Sequence, residues 1–161
     1  MATVQVTVAD YQNPQHAKDI VHLLHQYALD PMGGGNGIST EVQGRLVSEL
    51  AQVPGAFSIL CYVDSKPAGL ANCFMGFSTF KGKPLVNIHD LAVMPGHRGA
   101  GLSQRLLEKV EAEAKDRGAC KVTLEVLTGN HIAQQAYLKY GFAGYALDEK
   151  MGHAVFWEKP L

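Results

Sequence analysis

The sequence contains no apolar run long enough to cross a bilayer, and its formal net charge is only -1. The first lack excludes a membrane-spanning segment. The second excludes the broad basic face of a nucleic-acid or anionic-lipid binder. The opening Met1-Ala2-Thr3-Val4-Gln5-Val6 has no charged-then-apolar signal pattern, so a cytoplasmic location is expected. Cysteines are few: Cys61, Cys73 and Cys120. Two lie in apolar, strand-like runs, and none has a histidine neighbour or a C-x-x-C spacing. Free core thiols are expected, with neither disulfides nor a cysteine nucleophile. His22 and His25 stand one helical turn apart without a third ligand, so no metal site is expected. The glycine-rich segment Met32–Gly37 lacks the Gly-Lys-Ser/Thr of a nucleotide phosphate loop. With no repeat, linker or low-complexity tract, residues 1–161 read as one domain.

What is present is a regular alternation of elements. Val4, Val6 and Val8 alternate as a strand. Asn13-Pro14 caps a helix whose apolar positions include Ile20, Val21 and Leu24. Thr40 to Gln43 has capping-box spacing and opens a second helix to about Val53. Strands are expected near Phe57–Asp64 and Pro67–Phe77, joined by a turn at Ser65-Lys66, and then at Leu85–Val93. A long helix follows from about Gly101 to Arg117, with Leu102, Leu106, Leu107, Val110 and Ala114 as its buried stripe. A strand at Lys121–Leu127, a helix at Ile132–Tyr140 and a last strand near Ala154–Lys159 complete the pattern. The Leu85–Val93 strand, long helix and Lys121–Leu127 strand form a β-α-β unit, which demands parallel pairing. The earlier strands, joined by short turns, must be antiparallel. The expected fold is therefore α/β with a mixed sheet and helices on both faces.

The most informative stretch runs from Asp90 to Ser103. An apolar strand enters a basic, glycine-rich turn that opens the long helix. Main-chain N–H groups at such a helix start have no intrahelical acceptor, and the helix dipole adds partial positive charge there. A diphosphate is the natural guest.

These residues also carry a resemblance. Arg98-Gly99-Ala100-Gly101-Leu102-Ser103 resembles the acyl-CoA signature of the GNAT acetyltransferases, with Ser103 where glycine or alanine is usual. Asn130, Ala133, Tyr137 and Gly141-Phe142 resemble that family's second signature, N-x-x-A-x-x-x-Y-x-x-x-G-F. The likeness covers about Val4 to Glu158 and is strongest from Ile88 to Phe142. It implies the GNAT acyl-CoA N-acyltransferase fold and acetyl-CoA as cosubstrate, with no metal. It further implies direct transfer to an amine in a ternary complex, without a covalent enzyme intermediate.

Residue by residue, the resemblance implies that Arg98 to Ser103 hold the diphosphate. It puts the main chain of Leu91, Ala92 and Val93 against the pantetheine arm, with the Val93 N–H polarising the thioester carbonyl. Asn130 and Ala133 belong to the cofactor contact, and Asn130 equally suits a helix N-cap. Tyr137 is expected to protonate the leaving thiolate, its alternative being a core aromatic. The Phe80–Asp90 segment resembles the hairpin of diamine and polyamine acetyltransferases, with His89-Asp90 where those have Glu-Asp. His89 is thus either the base for the amine or a half-buried strand histidine. Asp90 alternates to the opposite face from His89 and is either a substrate contact or structural. Glu125, on the polar face of the neighbouring strand, either meets the substrate ammonium or is solvated. The Asp30–Thr40 loop and Ser78–Pro84 hairpin are expected to face the substrate. The expected acceptor is a small-molecule primary amine and the expected assembly a homodimer. The alternatives are a protein or peptide N-acetyltransferase and a non-catalytic acetyl-CoA-binding module.

Overall fold

The alternating valines form β1 (Val4–Val8), the edge of a sheet whose strand order follows the chain. The structure is a computed structural model describing residues 1–161. β1 pairs antiparallel with β2 (Phe57–Val63), β2 with β3 (Lys66–Ser78), and β3 with β4 (Lys83–Val93). The fifth strand, β5 (Val122–Leu124), runs parallel to β4, as the crossover helix between them requires. The mixed sheet read from the sequence is the one found. The β2–β3 turn lies at Asp64-Ser65, one residue earlier than expected, with φ of 48° and 66°. Two consecutive left-handed residues match the twist of the flanking strands.

Helix α1 (Pro14–Leu29) starts where Asn13 predicts. The Asn13 Oδ1 accepts from the amides of Gln15 and His16 at 2.9 and 3.3 Å, a cap that stabilises the helix by about 1 kcal/mol. In α2 (Thr40–Leu50) the cap is Ser39 instead of Thr40; its Oγ accepts from the Val42 N–H at 3.3 Å. Helix α3 (Leu102–Asp116) buries the five residues of its apolar stripe, Leu102, Leu106, Leu107, Val110 and Ala114.

The helices cover opposite faces of the sheet. Leu60 and Leu70, opposite each other on β2 and β3, pack with Ile20, Leu23 and Val47 of α1 and α2. Their neighbours Cys61 and Gly69 point the other way. A Cβ on Gly69 would lie 3.1 Å from Leu106 Cδ1, so α3 is on that second face. Cys61 and Cys73 are buried free thiols, whereas Cys120 is free and exposed. No helix is long and apolar enough to cross a membrane.

Residues Met1–Leu124 form one compact unit and Glu125–Leu161 a second. The second contains α4 (His131–Tyr140), capped by Asn130 and ended by Gly141 at φ 117°. Two expected strands differ. Residues 154–159 form no strand; the Ala154 N–H makes a 3.4 Å bond to the Tyr145 carbonyl. Val155, Phe156 and Trp157 have the right side chains, but strand propensity is largely packing against a partner, and they remain exposed. Similarly, β5 stops at Leu124 instead of Leu127 because its pairing with β4 ends at Ile88↔Leu124.

Candidate active site

β4 carries one extra residue. Cys73 faces Ile88 and Asn72 faces Asp90, so His89 has no opposite number on β3. This β-bulge reverses the alternation of the strand. Before it, the Val86 N–H donates to the Lys121 carbonyl on the β5 side at 3.1 Å, so Leu85 and Asn87 turn their amides to β3. Continued alternation would give Leu91 and Val93 to β3 too. After the bulge, however, the Met94 N–H donates to the Ala68 carbonyl at 2.8 Å. Ala92 therefore faces β3, and the amides and carbonyls of Leu91 and Val93 face the outer edge. No strand pairs with β4 there beyond Ile88. The edge is open to an extended ligand that adds like a strand.

The same bulge sets the side chains. The His89 ring meets the Phe74 ring edge-on, with centroids 5.5 Å apart. Asp90 Oδ2 accepts from Asn72 Nδ2 at 3.1 Å. Phe74 and Asn72 are two apart on β3 and share a face. His89 and Asp90 are therefore on one face, that of α1, and the expected opposition is corrected. An unbulged strand alternates; the residues at a bulge do not.

Beyond β4, Pro95–His97 forms a short turn and the chain enters the glycine loop. Gly99 and Gly101 have φ of 83° and 77°, left-handed values that disfavour any side chain. Gly101 caps α3 with no side-chain hydrogen bond, leaving the first-turn amides to an external acceptor. The Leu102 side chain is buried, so only its main chain can serve a ligand; Ala100 is exposed and Ser103 half-buried. Arg98 lies over this edge: its Nε donates to the Val93 carbonyl at 3.3 Å, and a terminal nitrogen donates to Asp30 at 3.1 Å.

Asp30 ends α1, and its other carboxylate oxygen accepts from the Met32 N–H at 2.9 Å. That amide and the Arg98 guanidinium hold its carboxyl below the ordinary 3.8. Burial, and then the charges of Asp90 and Asp30, push the Tyr27 hydroxyl above its usual value. The Tyr27 hydroxyl, near the end of α1, thus lies within electrostatic reach of both Asp90 and Asp30. The following loop is pinned by His25, whose Nδ1 accepts from the Ile38 N–H at 3.0 Å.

In the second unit, Asn130 Oδ1 accepts from the Ala133 N–H at 3.2 Å, confirming the cap. Ala133 is half-buried in α4. The Tyr137 ring lies edge-on to Phe142, with centroids 5.9 Å apart. The Phe142 N–H returns to the Tyr137 carbonyl at 2.9 Å. Glu125 is exposed and follows β5 instead of lying on it, a correction that comes with the shorter strand.

An open strand edge leads into an uncapped, glycine-bearing helix start, a place for an extended ligand that ends in an anion. The profile of the Acetyltransferase (GNAT) family matches residues 19–142. The chain belongs to the GNAT acetyltransferase family. It is accordingly an acetyl-CoA-dependent acyltransferase. A thialysine N-epsilon-acetyltransferase of Caenorhabditis elegans is 27% identical over 124 residues, which are 77% of this chain and 75% of that protein. The streptothricin acetyltransferase of Streptomyces lavendulae is 39% identical over 83 residues, 47% of this chain and 44% of that protein. The bovine (Bos taurus) thialysine N-epsilon-acetyltransferase is matched over 53% of its length, so this chain spans about half of some of its relatives. Among solved structures, a soil-metagenome aminoglycoside acetyltransferase in complex with sisomicin superposes with TM-score 0.80 at 13% identity, covering 98% of this chain and 96% of that one. An aminoglycoside N-acetyltransferase in complex with CoA gives 0.76 at 17% identity, covering 100% and 97%. These structures share the fold.

Four residues linked to Asp90 by hydrogen bonds or charge carry no motif: Tyr11, Ser58 and Asn72 in a hydrogen-bonded row, and Tyr27. A signal for two of them exists. Ser58 and Asn72 are lone polar residues within the apolar runs of β2 and β3. Both are buried, at 0% and 3% exposure, and a buried polar group needs a partner.

Proposed function

We propose that this acetyltransferase moves the acetyl group of acetyl-CoA to a primary amine of a small molecule. The observation that carries the reading is the bulge at His89, which opens the Leu91–Val93 edge and turns His89 and Asp90 onto one face. The names of the relatives, thialysine and streptothricin acetyltransferases, agree with an amine acceptor.

The residues present fit acetyl-CoA. The outward N–H and C=O groups of Leu91 pair with the amides of the pantetheine arm. The amides from Gly99 to Ser103 receive the diphosphate, and Arg98 exchanges Asp30 for it. Bound there, acetyl-CoA supplies an activated acetyl thioester. The Val93 N–H polarises the thioester carbonyl.

The difficulty lies with the acceptor. A lysine-like amine has a pKa of about 10.4, so roughly one molecule in a thousand is free base at neutral pH. Deprotonating it costs about 4 kcal/mol. Asp90 pairs with the ammonium and holds it over the acetyl carbon. The His89 imidazole takes the proton. The amine nitrogen then bonds to the carbonyl carbon as the C–S bond breaks; Tyr137 gives its proton to the thiolate, and the second proton shed by the nitrogen returns through solvent to the tyrosinate.

The test is an acceptor screen with acetyl-CoA, reading free thiol against diamines, lysine analogues, amino acids and aminoglycosides. Amine-dependent thiol release is expected. Binding of acetyl-CoA with no amine-stimulated release by any acceptor would leave a carrier module and refute the reading.

A further inference from the structure

Three buried or half-buried side chains lead to Asp90 in single file. The Tyr11 hydroxyl is 2.8 Å from Ser58 Oγ, Ser58 Oγ is 2.6 Å from Asn72 Oδ1, and Asn72 Nδ2 is 3.1 Å from Asp90 Oδ2. Ser58, Asn72 and Asp90 occupy one cross-strand row, directly opposite one another on β2, β3 and β4. The next row on the same face is apolar: Leu60, Leu70 and Ala92. An all-apolar face would pack α1 without the desolvation cost of polar groups. The polar row is fully satisfied instead, with no buried polar side-chain atom lacking a partner.

The chemistry of the groups fixes every hydrogen. An amide oxygen only accepts, so the Ser58 hydroxyl must donate to Asn72. With its hydrogen spent, Ser58 Oγ must accept from Tyr11. The Asn72 amide nitrogen only donates, so its hydrogen goes to the carboxylate. Rotating the Asn72 amide by half a turn would set its oxygen against an Asp90 carboxylate oxygen, acceptor against acceptor, and lose that bond. All three hydrogens therefore point toward Asp90, and each bond polarises the next in the same sense. The row holds one oxygen of Asp90 and leaves Oδ1 for a ligand. His89 neighbours Asp90 on its own strand, and the Asp90 charge reaches the Tyr27 hydroxyl of α1.

We propose that the Tyr11–Ser58–Asn72 row is a positioning relay that keeps the Asp90 carboxylate aimed at the acceptor ammonium. Tyr11 and Ser58 do not touch the substrate; they act through Asp90. The inference rests on the amine-acetylation reading above, in which Asp90 receives the ammonium.

The test uses Ser58→Ala and Tyr11→Phe, each alone and combined with Asp90→Asn, in steady-state acetylation of the best amine found. Losing one neutral hydrogen bond in the row should raise the amine KM about fivefold to tenfold for Ser58→Ala. Tyr11→Phe, one link farther away, should raise it about threefold. The acetyl-CoA KM should stay within about twofold, because the coenzyme edge is untouched. In the Asp90→Asn background both penalties should fall below about twofold. If the wild type is active and neither variant changes the amine KM, the relay is wrong. It is equally wrong if the penalties persist unchanged without the Asp90 charge, since a merely structural role acts in both backgrounds. Should Ser58→Ala unfold, Tyr11→Phe at the half-buried end decides alone. A wild type that acetylates no amine removes the function itself, and the relay with it.

Discussion

Gly69 sets how closely α3 approaches the sheet, and Gly69→Ala measures that approach. An ideal Cβ there lies 3.1 Å from Leu106 Cδ1, 3.3 Å from the Ala92 carbonyl oxygen and 3.4 Å from Cys61 Cβ. Gly69 is not among the positive-φ glycines, so alanine can adopt its backbone without strain. Two effects then oppose. Reducing the freedom of the unfolded chain stabilises by about 0.4–1 kcal/mol. Overpacking costs about 1–3 kcal/mol. Overpacking wins, because neither principal neighbour can retreat freely: the Ala92 carbonyl belongs to the strand, and Leu106 is fully buried. The net expectation is a loss of about 0.5–2 kcal/mol, which lowers Tm by roughly 2–6 °C in a chain of this size. Thermal and urea melts of Gly69→Ala, Leu106→Val and the double variant give the assay. Leu106→Val alone should cost about 1 kcal/mol. The double variant should lose about 1 kcal/mol less than the sum, because the smaller side chain vacates the space the methyl needs. Because α3 begins at Leu102 with the amides assigned to the diphosphate, Gly69→Ala should also weaken CoA binding in a calorimetric titration. A Tm unchanged or raised by Gly69→Ala, or strictly additive effects, would refute the packing argument.

Tyr137→Phe should lower kcat by about tenfold to a hundredfold while leaving the acetyl-CoA KM nearly unchanged, since a general acid acts only as the thiolate forms; an unaltered kcat removes that role. Asp30→Asn keeps the cap on Met32 but removes the charge facing Arg98. The Asp30 carboxyl is held below 3.8 in the folded protein. Its contribution is therefore fully present above that pH and lost as pH falls through the lower folded value. The pair is partly exposed, so the difference from wild type should be about 0.5 kcal/mol or less at pH 7 and should shrink below about pH 4. Urea melts at both pH values check this, and a difference that stays constant or grows in acid contradicts it.

The helices were legible in the sequence because their causes are local. The α3 stripe follows from a repeat of 3.6 residues, and the Asn13 cap from a side chain bonding amides two and three residues on. The glycine loop was legible for a similar reason: the conformation at Gly99 and Gly101 is a property of those residues themselves. Parallel pairing of β4 with β5 followed from the length of the crossover. The faces of His89 and Asp90 were not legible. Period-two alternation put them apart, and no residue near them announces an insertion. Ser58 and Asn72 stood out as polar residues in apolar runs, but their common row needs the register of three strands. The strand expected at Ala154–Lys159 failed for a related reason, since β-propensity names residues that suit a sheet without supplying a neighbouring strand.

By itself, then, the order of residues determined the helices, the parallel unit and the glycine loop that opens the long helix. Each depends on forces acting within a few residues or on the geometry of one crossover. Only the folded sheet decided that Leu91 and Val93 turn outward and that Asp90 joins Asn72, Ser58 and Tyr11. A bulge exists only as a mismatch between two strands, and the row of hydrogen bonds, from the loop after β1 across β2, β3 and β4, joins residues up to 47 positions apart.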